Sequence, residues 1–124
     1  MVSSIAKKQR KAQYNAPAHA KRKMLSAHLS KDLADKYGRR TARVCTGDTV
    51  VILRGDDDIC GTEGKVLEVF TKTGRVSIDG ITIKQADGTA VARPIHASNL
   101  VITKLNLEDT LRAETLAKNK EAAQ

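Results

Sequence analysis

The sequence predicts a mainly β protein: a small barrel or sandwich with a basic, partly helical N-terminal extension and a short C-terminal helix. Three observations predict it. Short apolar or alternating runs follow one another from residue 50 to residue 105. The dipeptides Thr73-Gly74, Asp79-Gly80 and Asp87-Gly88 break them at the spacing of strand turns. The charge is one-sided: residues 1–43 hold twelve Lys and Arg against two Asp, a net of +10 in a chain of net +8.

The expected organisation is therefore 1–43 as a basic extension, 44–105 as the β unit and 106–124 as a helical tail. Before Asn15 the extension has almost no apolar residues, so no fixed structure is expected until a partner neutralises it. Asn15 and Pro17 suit a helix start, since proline tolerates the first turn. Leu25, Leu29, Leu33 and Tyr37 recur every four residues. They would share one stripe if this segment is helical, and the three leucines are expected to pack against the β unit. Ser30 can interrupt the stripe as a new N-cap, with Asp32 and Asp35 near the positive helix end. Gly38 then ends the helix.

In the β unit, Val50-Val51-Ile52-Leu53 is apolar on both faces. "KVLEVF" (65–70) follows. "RVSID" (75–79) alternates, placing Val76 and Ile78 inward and Arg75, Ser77 and Asp79 outward. "ITIK" (81–84), "TAVAR" (89–93) and "NLVITKL" (99–105) complete the strands. About sixty residues make a small core, so stability is modest and a bound partner matters. In the tail, Asn106 followed by Asp109 resembles a capping box.

Composition narrows the function classes. An isoelectric point near 9.7 favours nucleic acid or another anionic surface. The longest aliphatic run has four residues, so no membrane span is expected. No secretory leader is visible, and an intracellular protein is expected. Cys45 and Cys60 have fourteen residues between them and lack the close ligand pairs that zinc requires. No metal and no cofactor are expected.

The glycine-punctuated stretch "GDTVVILRGDDDICGTEGKVLEV" (47–69) invites catalytic readings, and each fails. A Walker loop would end at Gly64-Lys65, but Ile59 replaces its first glycine and Val66 its hydroxyl. A dinucleotide fingerprint must open a helix, whereas strand residues follow Gly61-x-x-Gly64. A calcium loop would need oxygen at Cys60 and a carboxylate at Leu67. Gly61-Thr62-Glu63-Gly64 echoes the GXXG clamp of KH domains, but it lies between strands and carries an acid. His19, His28 and His96 lie near no convincing nucleophile, so no enzyme is expected. The glycines read as backbone devices for sharp turns and close chain approach.

The same stretch resembles a KOW motif, shared by ribosomal proteins and transcription elongation factors and set in an SH3-like β-barrel. The pattern is Gly47-Asp48, an apolar strand, Arg54-Gly55, an acidic turn, then Gly61 to Val66. The flanks "KQRKAQYNAPAHAKRKMLSAHLSKDLADKYGRR" (8–40) and "VSIDGITIKQADGTAVARPIHASNLVITKL" (76–105) narrow the resemblance. They are similar to the large-subunit ribosomal protein family numbered twenty-four in the universal scheme, in its archaeal and eukaryotic branch. The resemblance covers roughly residues 7–116.

It implies a cytoplasmic structural constituent of the large ribosomal subunit that binds the 5′ region of large-subunit rRNA. It further implies early assembly, a place near the polypeptide tunnel exit, and neighbouring ribosomal proteins as partners, without homo-oligomers. The matching positions are Lys8, Arg10, Lys11, Tyr14, Asn15, His19, Lys21, Arg22 and Lys23 in the extension, and Arg54, Lys65, Lys84 and His96 in the barrel. Lys7, Arg39, Arg40 and Arg43 join them as further cations of the basic third. The alternative is a KOW module of a transcription elongation or antitermination factor. The turn Asp56-Asp57-Asp58 departs from the family pattern. Three acids would repel phosphate, so its tip is expected to stay off RNA unless a cation intervenes.

Physically, a +10 arm beside a near-neutral barrel is an electrostatic anchor. Aromatic content is only 2%, so recognition is expected to use phosphates, 2′-hydroxyls and shape. Tyr14, inside the arm, is the candidate for stacking on a base.

Overall fold

A computed structural model describes residues 3–123, with side chains through residue 118. The fold is mainly β and barrel-like, with four helices. In chain order it runs α1 (Ala6–Tyr14), α2 (Ala18–Met24), β1 (Ser26–Leu29), α3 (Lys31–Tyr37), β2 (Thr41–Arg43), β3 (Thr49–Ile52), β4 (Glu63–Phe70), β5 (Arg75–Lys84), β6 (Ala90–His96), a short 3-10 turn (Ala97–Asn99), β7 (Leu100–Lys104) and α4 (Thr110–Ala123). The sheet order is β2-β1-β7-β3-β4-β5-β6. β1 runs parallel to β7, and the other pairs are antiparallel.

The apolar pattern dictates the core. Val50, Ile52, Val76, Leu100 and Ile102 are fully buried at the centre. In β3 and β7 the buried residues alternate with less buried neighbours, as strand geometry requires. β5 departs from the expected alternation at Ser77, which is buried between Val76 and Ile78. The departure coincides with a bulge: the β4–β5 register shifts between Val66 and Glu68, and the β5–β6 register shifts just after Ser77. The same irregularity corrects the expected turn at Asp79-Gly80. Gly80, at φ +84°, bends one continuous ten-residue strand instead of ending it.

The stripe Leu25, Leu29, Leu33, Tyr37 does not form one helix. Leu25 follows α2, Leu29 belongs to β1, and Leu33 and Tyr37 belong to α3. The packing expectation nevertheless holds for the leucines, since Leu25 and Leu29 lie in the core and Leu33 packs against it. β7 offers β1 a ladder, with His28 opposite Val101 and Leu29 opposite Ile102. That tertiary pairing outweighs the four-residue period. Ser30 caps α3 by accepting from the Leu33 N–H, and Gly38 ends it at φ +64°. A further correction falls before Asn15: α1 occupies this segment, with no buried residue. In the tail the cap sits three residues later than expected. Asp109 accepts from the Leu111 N–H, while Asn106 accepts from the Glu108 N–H.

Two glycines in the 47–69 stretch have clear tasks. A Cβ on Gly64 would lie 2.5 Å from Ile78 Cγ2 and 2.8 Å from the Asp79 carbonyl oxygen, so β4 and β5 can approach only through hydrogen. Gly61 turns at φ +85° and donates its N–H to the Ile52 carbonyl.

Candidate nucleic-acid interface

The cations of the extension are presented rather than neutralised. Lys7, Lys8, Arg10 and Lys11 lie on α1 and are exposed; Tyr14 ends that helix, 67% exposed, and Asn15 caps it. His19, Lys21, Arg22 and Lys23 follow on α2. The last three occupy its final turn, where the helix dipole favours positive charge. Among the described residues the ion pairs are Arg93–Asp56 and Arg112–Asp48, so no Lys or Arg of residues 3–43 is in a salt bridge. Lys36 sits over the Tyr37 ring, 5.4 Å from its centroid.

The two N-terminal helices meet the β4–β5 turn in a groove of about 480 Å³. Arg10, Tyr14 and Lys21 line one side; Lys72, Gly74 and His96 line the other. The strand register puts His96 there, since Arg75 at the start of β5 pairs with it. The His96 imidazole is oriented by the 3-10 turn that follows. Ser98 donates its backbone N–H to Nδ1 at 3.2 Å, and its hydroxyl lies 2.8 Å away. Nδ1 is thus an acceptor, so the neutral ring carries its proton on Nε2. That nitrogen lies against Gly74, where a Cβ would stand 3.3 Å away.

The sequence alone points to Arg10, Tyr14, Lys21 and His96, and this groove brings them together. It does not point to Lys72. The available signal was the Thr73-Gly74 turn, which had to carry its neighbours to the end of the sheet where β6 finishes.

The remaining candidate residues lie elsewhere. Arg39 and Arg43 line a second groove of about 370 Å³ between β2 and α4, beside Cys45 and Leu116. Arg40 is exposed just before β2, and Lys84 is exposed at the end of β5. Lys65 stands beside Thr49, whose other neighbour is Lys104, making a cross-strand row with a cation at each end. Arg54 is exposed just beyond β3. Asp56 in the following acidic turn accepts from Arg93 on β6. That hydrogen bond and the negative turn raise the Arg93 pKa further above neutrality. Among the described residues no group of three or more His, Cys, Asp or Glu could hold a metal, and no helix is long and apolar enough to cross a membrane.

The wall of the second groove is also invisible to sequence reasoning. Asp48 is fully buried and grips Arg112 of α4. Its Oδ2 accepts from the Cys45 N–H, and its Oδ1 accepts from the Asn106 N–H. Arg112 also donates to the carbonyls of Asn106 and Arg43. Burial depresses the Arg112 pKa, but the hydrogen bonds and charge of Asp48 outweigh it, and the net shift is upward. Burial also raises the Cys45 thiol pKa, against the opposing pull of Arg112.

Comparison with known proteins shows the family of this chain. Residues 3–119 match the model of the ribosomal protein family that comprises L26 of eukaryotes and its L24 counterpart of archaea. The large ribosomal subunit protein uL24 of Methanospirillum hungatei is 52% identical over 117 residues, covering 94% of this chain and 96% of that one. The protein of the same name from Saccharolobus solfataricus is 52% identical over 120 residues, covering 97% and 99%. That of Sulfurisphaera tokodaii is 49% identical over 122 residues, covering 98% and 89%.

Proposed function

The chain belongs to the ribosomal protein family of eukaryotic L26 and archaeal L24, and from that premise we propose how it holds large-subunit rRNA. As a family member it is a structural protein of the large ribosomal subunit in the cytoplasm, and not an enzyme. Its extension binds the 5′ region of the rRNA through phosphates and shape, while the barrel seats the other end of the contact. It joins the subunit early, as a single copy, near the tunnel exit and beside other subunit proteins. The functional division follows the charge: the cations of residues 1–43 lead the binding, residues 44–105 supply most of the core and add Lys72 and His96, and the tail from residue 106 braces the barrel through Arg112.

One observation carries this reading. Arg10 and Lys21 on two helices converge with Lys72 of the β4–β5 turn and His96 of β6, and among the described residues none of these side chains is in a salt bridge. Each phosphate they neutralise releases counterions, which gives affinity without base readout. α1 supports the same conclusion. It buries nothing, and Lys7 and Lys8 in its first turn oppose the helix dipole. A polyanion laid along it removes that penalty. Arg54, Lys65 and Lys84 are secondary contacts on the barrel. The match includes the extension as well as the barrel, which favours this reading over an elongation-factor module.

The test is a sucrose gradient of native lysate at low and at high salt, probed for this chain. Salt-resistant migration with the large subunit is expected. Migration with polymerase, or release at moderate salt, would favour the elongation-factor reading instead.

A further inference from the structure

We infer that the groove between α1, α2 and the β4–β5 turn takes one unpaired nucleotide of an RNA, its base stacked on Tyr14 and its phosphate held by Arg10, Lys21 and Lys72. The inference rests on the rRNA-binding reading and specifies its ligand.

Three features favour a single splayed nucleotide over the outer face of a duplex. The groove volume of about 480 Å³ falls in the range of about 300–1,000 Å³ typical of small-ligand sites. A duplex backbone would touch its rim and leave the interior unfilled. The Tyr14 ring is the second feature. It is 67% exposed and outside the core, so no packing task accounts for its place among cations. A tyrosine face offers any base a stacking platform, and only an unstacked base can reach it.

The third feature is His96. Its Nδ1 is occupied by Ser98, which leaves Nε2–H as a donor of fixed direction on the sheet side of the groove. A ring N–H donor beside three cations suits a ribose hydroxyl or a phosphate oxygen. The groove therefore offers a stacking face, a positive rim and an oriented donor from three parts of the chain. Stacking is indifferent to base identity, so the site selects for unpaired structure and not for sequence.

The chain has two tyrosines and no tryptophan, so its own fluorescence reports the contact. With Tyr37→Phe, Tyr14 is the sole tyrosine emitter. This variant of the full chain is titrated with a uridylate hexamer and, separately, with a twelve-base-pair RNA duplex, following anisotropy of labelled RNA and tyrosine emission together. Saturable quenching by the hexamer and not by the duplex is expected. Tyr14→Leu is expected to weaken hexamer binding about ten-fold and duplex binding hardly at all. Tyr14→Phe should restore most of that loss. Hexamer binding without quenching, or equal binding by Tyr14→Leu, would overturn the nucleotide site and leave the groove as a phosphate contact only. Failure of both RNAs to bind would overturn the rRNA-binding reading as well.

Discussion

Arg112 and Asp48 meet in a two-pronged ion pair, Nη1 to Oδ1 and Nη2 to Oδ2, both at 2.7 Å. Asp48 is wholly buried at the entry to β3, and Arg112 reaches it from α4, 64 residues further along the chain. The remaining lone pairs of the carboxylate are met by the Cys45 and Asn106 N–H groups. The pair fastens the C-terminal helix to the barrel and fixes the loop before β3. Removing one partner of a buried pair leaves an uncompensated charge, at a cost of about 3–5 kcal/mol. Arg112→Met is therefore expected to lower the unfolding free energy in urea by that amount and to free the amides of α4 for hydrogen exchange. The double variant Asp48→Leu with Arg112→Met should cost less than the two single variants added. A loss below about 1 kcal/mol for Arg112→Met would mean that the two backbone N–H groups alone satisfy Asp48.

Gly64 offers a backbone test. The atom blocking a Cβ there is in part the Asp79 carbonyl oxygen, which cannot swing away as a side chain can. Gly64→Ala must part β4 from β5 next to the bulge. A loss of about 1–3 kcal/mol, the range for overpacking, is expected in urea unfolding. An unchanged midpoint would show that the strands separate freely at that point.

The barrel was largely legible because it rests on local rules. Alternation marked the inward sets, and Ser30 and Gly38 marked both ends of α3. What the residues did not reveal depends on pairing at a distance. Nothing near Leu29 signals that β7 will lie beside it, so a helical period masked a strand. Nothing near Asp48 names Arg112, whose tail looks merely mixed in charge. The groove was half legible: Tyr14 and the cations stood out in the basic run, whereas Lys72 needed the β4–β5 turn to carry it to the same end of the sheet. The bulge at Gly80 was hidden for a related reason. Asp-Gly serves a turn or a bend equally well, and only the partner strands decide.

The two thiols should react differently. Cys60 is exposed and donates to the Leu53 carbonyl, while Cys45 is half-buried with its pKa raised by burial. Only the thiolate attacks an alkylating agent. A raised pKa means less thiolate at a given pH, so alkylation of Cys45 should keep accelerating above the pH where an ordinary thiol has levelled off. Iodoacetamide at neutral pH is expected to label Cys60 first, read by peptide mass spectrometry. Arg112→Met removes the positive charge that counters burial, so it should raise the Cys45 value further while loosening its cover. If Cys45 labels first in the native chain, the second groove is more open than its packing implies.

The last turn of α2 carries the sharpest test of the electrostatic anchor. Lys21, Arg22 and Lys23 are adjacent, outside any salt bridge among the described residues, and placed where the helix dipole does not oppose them. None is buried, so replacing all three with Ala removes charge without opening a cavity. The fold should keep its stability within about 0.5 kcal/mol. Binding to a transcript of the large-subunit rRNA 5′ region should weaken and lose salt dependence together. Each phosphate contact contributes about 0.7–0.9 to the slope of log affinity against log salt, so losing two to three contacts should flatten it by about two. A fall in affinity with the slope intact would assign these side chains to shape or hydroxyl contacts instead. No change in either quantity would place the anchor on α1, and Lys7, Lys8, Arg10 and Lys11 would then have to carry the slope.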